Sequence, residues 1–204
     1  MTATAAVETP TPVISVRPVV LEAPARGEDL QVRVTAPTTG GDLPIVVFSH
    51  GFGSSMDGYA PLTEFWAARG FVVLQPTHLD SRTLGLTADD PRTPAIWRFR
   101  IEDLTRVVDE LDVIEDSVPG LAGRLSRGKI AVAGHSWGAT TASALLGARV
   151  LDQNASRGED MSDPRVGAGV LLAVAGTGGD DLTPFAAENF SFMNPSFAEM
   201  STPA

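Results

Sequence analysis

The chain reads as one α/β domain, a mostly parallel sheet with helices on both faces, and three observations predict it. Residues 45–49, 71–75, 130–133 and 168–174 are short, nearly all-apolar runs, as strands buried on both faces must be. Helical stretches separate these runs, the alternation that places helices on both sides of a parallel sheet. The run ending at Ala133 also enters Gly134-His135-Ser136-Trp137-Gly138 and then a small-residue helix from Ala139 to about Val150.

Each element has its own reason. Residues 1–12, rich in Thr, Ala and Pro, read as a mobile tail and leave 13–204 for the domain. Residues 14–21 and 30–36 alternate apolar and polar side chains, as antiparallel strands near a sheet edge do. Pro18 cannot donate to a ladder, so the first of these strands is confined to the edge. The run at 45–49 enters a glycine-rich loop, His50-Gly51-Phe52-Gly53, and the run at 71–75 precedes a long loop at 80–93. The best helix spans 94–114. Thr93 can cap it, and Pro94 suits a first helical position, where no backbone donor is needed. Trp97, Ile101, Leu104, Val108 and Leu111 fall three and four apart on one apolar stripe. Glu102, Asp103, Arg106, Asp109 and Glu110 read as the solvated opposite face.

The pentapeptide carries chemistry because of its setting. A strand, then G-x-S-x-G, then a helix is what a nucleophile elbow requires: the serine sits in a sharp, strained turn with its hydroxyl above the sheet. The residues two before and two after it crowd against neighbouring backbone, so both must be glycine. Acyl transfer also needs donors for the carbonyl oxygen that gains charge as the serine attacks, and losing one costs about 2.7–4 kcal/mol. The backbone N–H groups of Phe52, in the loop after the third strand, and Trp137, after the serine, are the predicted oxyanion donors. The chain has 3 histidines, His50, His78 and His135, and none follows Ser136.

The segments PIVVFSHGFGSSMDGY, ARGFVVLQPTHLDS and GKIAVAGHSWGATTASALLGA resemble the α/β-hydrolase superfamily. They are most similar to its esterase branch of platelet-activating-factor acetylhydrolases, chlorophyllases, dienelactone-hydrolase-like enzymes and polyester hydrolases, over residues 13–175. The resemblance implies an α/β-hydrolase fold truncated after the sixth strand. It makes Ser136 the nucleophile and the Phe52 and Trp137 amides the oxyanion hole. It implies a structural His50, a His135 lying beneath the elbow, and a His78 in a loop or rim position off the family's pattern. Members of this branch continue with a seventh strand carrying the acid and an eighth carrying the histidine. The domain is therefore expected to be incomplete at its C-terminus, its general base lying beyond residue 204 or on a partner chain. Asp180 and Asp181 are the only plausibly placed acids. The sixth strand would otherwise leave a bare apolar edge, a template for pairing. A C-terminal segment or a second chain is expected to complete the sheet.

Composition narrows the function further. A net charge of −10 disfavours nucleic acid and anionic membrane as partners. With 0 cysteines there is no thiol nucleophile and no disulfide. No cofactor is implied, and no metal site is expected, because the histidines are scattered and no H-x-x-x-H pair occurs. The N-terminus lacks the basic and apolar regions of a secretory signal. The longest apolar stretch, 166–175, falls short of the roughly 18 residues that span a bilayer. A cytoplasmic location is expected. The predicted activity is a serine hydrolase cleaving small-molecule carboxylic esters. The alternatives are a thioesterase or acyltransferase of the same fold, or a catalytically silent binding protein on this scaffold. Ser136 argues against aspartate-nucleophile dehalogenases and cysteine-nucleophile dienelactone hydrolases.

Overall fold

A computed structural model of the protein describes residues 10–150, 158–174, 184 and 195–204. Six strands form the main sheet in the order β1 (Val13–Leu21), β2 (Leu30–Pro37), β4 (Val72–Pro76), β3 (Leu43–Ser49), β5 (Leu125–His135) and β7 (Val166–Leu172). β1 and β2 pair antiparallel, as the alternation of their side chains predicts, and β2 meets β4 antiparallel. From β4 through β3 and β5 to β7 the pairing is parallel. β1 occupies the edge, where Pro18 requires it to be. A pair of two-residue strands, β6 (Arg149–Val150) and β8 (Pro195–Ser196), stands apart from the main sheet.

Side chains of the central strands alternate between two cores. Ile45 and Val47 of β3, Val72 and Leu74 of β4, and Ile130 and Val132 of β5 are buried on one face. They pack there with α2 (Ile96–Asp109), α3 (Leu111–Ser117) and α4 (Trp137–Leu145). Val46, Phe48, Val73 and Ala133 are buried on the other, with Tyr59, Leu62 and Trp66 of the α1 region (α1, Ala60–Ala67) against them. Helices therefore cover both faces. Among the described residues no helix is long and apolar enough to cross a membrane.

Several predicted boundaries move. The helix expected over 94–114 divides. Thr93–Ala95 form a 3₁₀ turn, Ala95 rather than Thr93 stands at the N-cap of α2, and Glu110 (φ −102°, ψ 28°) separates α2 from α3. Thr93 spends its hydroxyl on the Thr87 carbonyl instead of capping. α4 stops at Leu145 and does not run to Val150, because Gly147 at φ 105° leaves the helical path and the chain enters β6. β5 begins at Leu125, five residues early, since its first half reaches Leu43 of β3. β7 lies two residues earlier than the run 168–174. Among the described residues it pairs in the sheet with β5, and Val170 on it is 43% exposed. The Gly169 N–H on this strand donates to the Pro203 carbonyl at 2.9 Å, so the last residues of the chain lie against the edge.

Leu104 sits at the centre of the larger core with no exposed surface. Replacing it with alanine is expected to lower stability by about 2–5 kcal/mol, read from chemical denaturation midpoints at unchanged slope.

Candidate active site

β5 ends at His135 and α4 begins at Trp137, so one residue makes the turn between them. That residue is Ser136, half-buried, with φ 55° and ψ −123°. A positive φ on a residue with a side chain costs about 1–3 kcal/mol and persists only where the surroundings over-determine it. Here the Ser136 N–H donates to the Leu172 carbonyl at 2.9 Å, and the Ser136 carbonyl accepts from the Ala139 and Thr140 amides at 2.9 and 3.3 Å.

The glycines two residues to either side are sterically required. A Cβ on Gly134 would lie 2.1 Å from the Gly138 carbonyl oxygen, and one on Gly138 would lie 2.0 Å from the Ser49 carbonyl oxygen and 2.6 Å from that of His50. Backbone meets backbone at both places, so no rotamer change relieves the overlap. The start of α4 is thereby pressed onto the end of β3, where the loop at 50–53 begins.

That loop is held at nearly every polar atom. The Gly51 N–H donates to the Tyr59 hydroxyl at 3.2 Å, and the same hydroxyl bonds His135 Nδ1 at 2.8 Å. The Gly53 N–H donates to Asp80 Oδ2 at 2.9 Å, and the Ser54 N–H to the Gly51 carbonyl at 3.1 Å. Among the described residues, the Phe52 N–H has no hydrogen-bond partner while the amides at 51, 53 and 54 all have one. The Phe52 side chain is 67% exposed and its ring lies 5.6 Å from that of Trp137, which is 8% exposed. Two of the three predicted site residues thus meet, and the third precedes Trp137 in the chain.

Beneath the loop lies a buried polar cluster. Arg100 is fully buried and donates to Thr141 Oγ1 at 3.0 Å, Asp80 Oδ1 at 2.5 Å, Ser49 Oγ at 3.2 Å and the His50 carbonyl oxygen. Its guanidinium stands 4.7 Å over the Trp137 ring. His78 joins Ser49 Oγ through Nε2 and Asp103 Oδ2 through Nδ1, both at 2.9 Å, and Arg26 Nε lies 3.0 Å from Asp103 Oδ1. The expected rim position of His78 is therefore corrected: it has no exposed surface. Asp103, expected on the solvated face of its helix, is 2% exposed. Ile96, Arg100, Asp103 and Val107 are all buried at helical spacing, so a polar pair occupies the inward stripe. Trp97 is half-buried against the core, beside the cluster that contains Trp137.

The titrations follow from burial. Desolvation, with the Arg100 charge second, lowers His50 to about 4. Its Nε2 accepts the His78 N–H at 3.0 Å, so the ring proton is on Nδ1, donated to the Gly51 carbonyl at 2.7 Å. Desolvation likewise holds His78 well below its ordinary value, with Arg100, His50 and Arg26 adding to the effect. Burial pushes Asp103 up to about 7 against the pull of Arg26 and Arg100. Neither His50 nor His78 has a ring nitrogen free to take a proton from Ser136. Asp180 and Asp181 lie outside the described residues. Tyr59, Asp80 and Arg100 were missed as site residues; only Arg100 left a sequence signal, its register on the apolar stripe. A groove of about 420 Å³ runs along α2 past Glu102, Arg106 and Met161 and includes none of the predicted site residues.

The model of the alpha/beta hydrolase family matches residues 46–203. A search of curated proteins finds no significant match. Among solved structures, the chain is similar to a hyperthermophilic esterase from Pyrobaculum calidifontis, at 23% identity and a TM-score of 0.54, covering 93% of this chain and 58% of that one. It is also similar to a thermostable carboxylesterase cloned from a metagenomic library, at 23% identity, TM-score 0.54, and 90% and 54% coverage. A ferulic acid esterase from Streptomyces cinnamoneus gives 22% identity, TM-score 0.55, and 85% and 62% coverage. The chain spans little more than half the length of these structures, and at such identity the likeness is one of fold. The fold expected from sequence is the fold observed; the particular esterase branches are not distinguished by these matches.

Two outcomes follow. Gly138→Ala is expected to cost at least about 4 kcal/mol or to prevent folding, because the methyl group meets two carbonyl oxygens of β3 and its loop; thermal melting measures it. The second outcome concerns acid. Unfolded, His50 takes a proton near 6.5; folded, it refuses one until about 4, so stability is lost as pH falls through that window. The loss is on the order of 3 kcal/mol. Asp103 is raised and His78 lowered on folding, opposite shifts whose effects on stability offset each other as pH falls. Urea unfolding at pH 7 and pH 4.5 checks the sign.

Proposed function

The chain belongs to the alpha/beta hydrolase family, and on that premise we propose that it is a serine hydrolase of carboxylic esters with Ser136 as nucleophile. The observation that carries this reading is the turn at Ser136. A strained serine stands alone between a parallel strand and a helix, with Gly138 after it pressed onto the end of β3 and Gly134 before it pressed onto the Gly138 carbonyl. Strain of this kind, over-determined by its surroundings, is characteristic of functional sites.

In the proposed reaction Ser136 Oγ attacks the ester carbonyl carbon and its proton passes to a general base. The carbonyl oxygen becomes an oxyanion held by the Phe52 and Trp137 amides. Collapse expels the alcohol, which takes up the proton, and leaves the acyl group on Oγ. Water then attacks the acyl carbon, releasing the acid and restoring the serine. The N-terminus of α4 adds a favourable field for the developing charge, about 0.3–1 kcal/mol. The unbonded Phe52 N–H, in a loop whose other amides are tied down, supports its role as a donor. The base is a histidine other than the three of this chain. His50 and His78 have both ring nitrogens occupied, and His135 Nδ1 is held by Tyr59. The Phe52 and Trp137 rings offer an apolar wall to the acyl group or an aromatic leaving group.

Ser136→Ala is expected to lower kcat for p-nitrophenyl butyrate by at least about 10⁴-fold in the natural protein. Phe52→Pro deletes one amide donor and is expected to cost about 10²–10³ in kcat. Phe52→Ala keeps the donor and acts mainly on KM. Hydrolysis that survives Ser136→Ala would falsify the assignment.

A further inference from the structure

We propose that Arg100 is the positioning residue that sets the spacing between the two oxyanion donors, with Asp80 as its relay to the loop. The inference rests on the reading of Ser136 and the two amides given above. Phe52 is anchored on both sides, and both anchors lead to one guanidinium. Two residues before it, the His50 carbonyl accepts directly from Arg100 Nη2. One residue after it, the Gly53 N–H is held at 2.9 Å by Asp80 Oδ2, while Asp80 Oδ1 accepts from Arg100 Nη1 at 2.5 Å.

The other donor is tied to the same group. Thr141, one turn into α4, donates its hydroxyl to the Trp137 carbonyl at 3.0 Å and accepts from Arg100 Nε at 3.0 Å. The guanidinium also covers the Trp137 ring at 4.7 Å. One rigid planar fork therefore fixes the loop after β3 and the first turn of α4 relative to each other. An ammonium could not, because its three rotatable donors form no fixed planar fork. The pair is also an expensive way to gain stability. The Arg100 and Asp80 side chains are 0% and 1% exposed, and the desolvation of such a pair commonly cancels its attraction. A geometric role explains its presence where a stabilising one does not. Arg100 touches no reacting atom, so it acts only through the residues it holds.

The test measures kcat, KM and the inhibition constant of an alkyl trifluoromethyl ketone on the natural protein and its Arg100→Lys, Asp80→Asn and Thr141→Val variants. The ketone forms a tetrahedral adduct whose oxyanion uses the same two amides. A mispositioned hole therefore weakens inhibitor and kcat together and leaves ester binding alone. Arg100→Lys and Asp80→Asn are expected to lower kcat by about 10²-fold, with KM within about threefold and the ketone weakened by a factor similar to that in kcat. Thr141→Val is expected to move both by about tenfold, the smaller effect of one lost hydroxyl. Values are normalised to the fraction of Ser136 that a fluorophosphonate labels at completion, which separates misfolded protein from a slow site. If Arg100→Lys does not fold, the other two variants decide on the same numbers. Normalised kcat and ketone affinity within threefold of wild type would overturn the proposal, as would a kcat loss without a matching ketone loss. Hydrolysis and labelling that persist in Ser136→Ala would instead overturn the nucleophile assignment, a result that does not depend on Arg100.

Discussion

The contact on which the site depends is one with no side chain in it. The backbone at Gly138 lies so close to the carbonyls of Ser49 and His50 that a single added carbon would overlap both. That approach presses the first turn of α4 onto the end of β3 and brings the loop at 50–53 beside the turn at Ser136. Gly134, two residues before the serine, makes the companion contact with the Gly138 carbonyl. Between the two glycines the chain reverses within one residue, and the serine's positive φ is what remains when both contacts are met. The Ser49 end of β3 is paired with Gly134 of β5, and the His50 carbonyl is held by Arg100, so neither carbonyl is free to give way.

The parts of this arrangement that rest on periodicity or on steric rules were legible in the sequence. The parallel strands announce themselves as apolar runs, the edge role of β1 follows from Pro18, and the turn at Ser136 follows from the two glycines. Boundaries were less legible. The division of the long helix at Glu110 has no proline or glycine to mark it, and the early start of β5 at Leu125 depends on a partner, Leu43, distant in the chain. The buried polar cluster runs against its sequence pattern for a clear reason. Asp103 stands among Glu102, Arg106, Asp109 and Glu110, and a run of charge on a helix normally marks its wet face. Its position three residues after Arg100 and seven after Ile96 put it on the inward stripe all the same. Charge type and helical register disagreed there, and register was the better guide.

That disagreement falls at the candidate site. A sequence whose local rules all agree folds without strain, and natural proteins break those rules chiefly where function requires it. Here the breaks cluster: a serine at positive φ, an arginine and an aspartate on an apolar stripe, and two histidines desolvated into their neutral forms all lie within a few contacts of the loop at 50–53. His50 accepts the His78 amide and donates to the Gly51 carbonyl, and His78 bridges Ser49 to Asp103. In each case the imidazole satisfies backbone or buried polar groups that apolar side chains would leave stranded, which is costly in a dry interior. The two rings serve as rigid spacers beneath the loop, and their neutrality is the condition for doing so.

This division of labour accounts for the histidines being where they are. A general base must exchange its proton near neutral pH and must face the substrate. A buried spacer must do neither. His50 and His78, lowered by burial and saturated with partners, meet the second description and fail the first. His135 turns Nδ1 to Tyr59, on the side of the elbow where Gly51 is held. All three imidazoles thus support the framework that presents Ser136. In the proposed reaction the group that activates Ser136 is therefore none of these three imidazoles. The two tasks make contrary demands on an imidazole, and His50 and His78 are committed to that of the buried spacer.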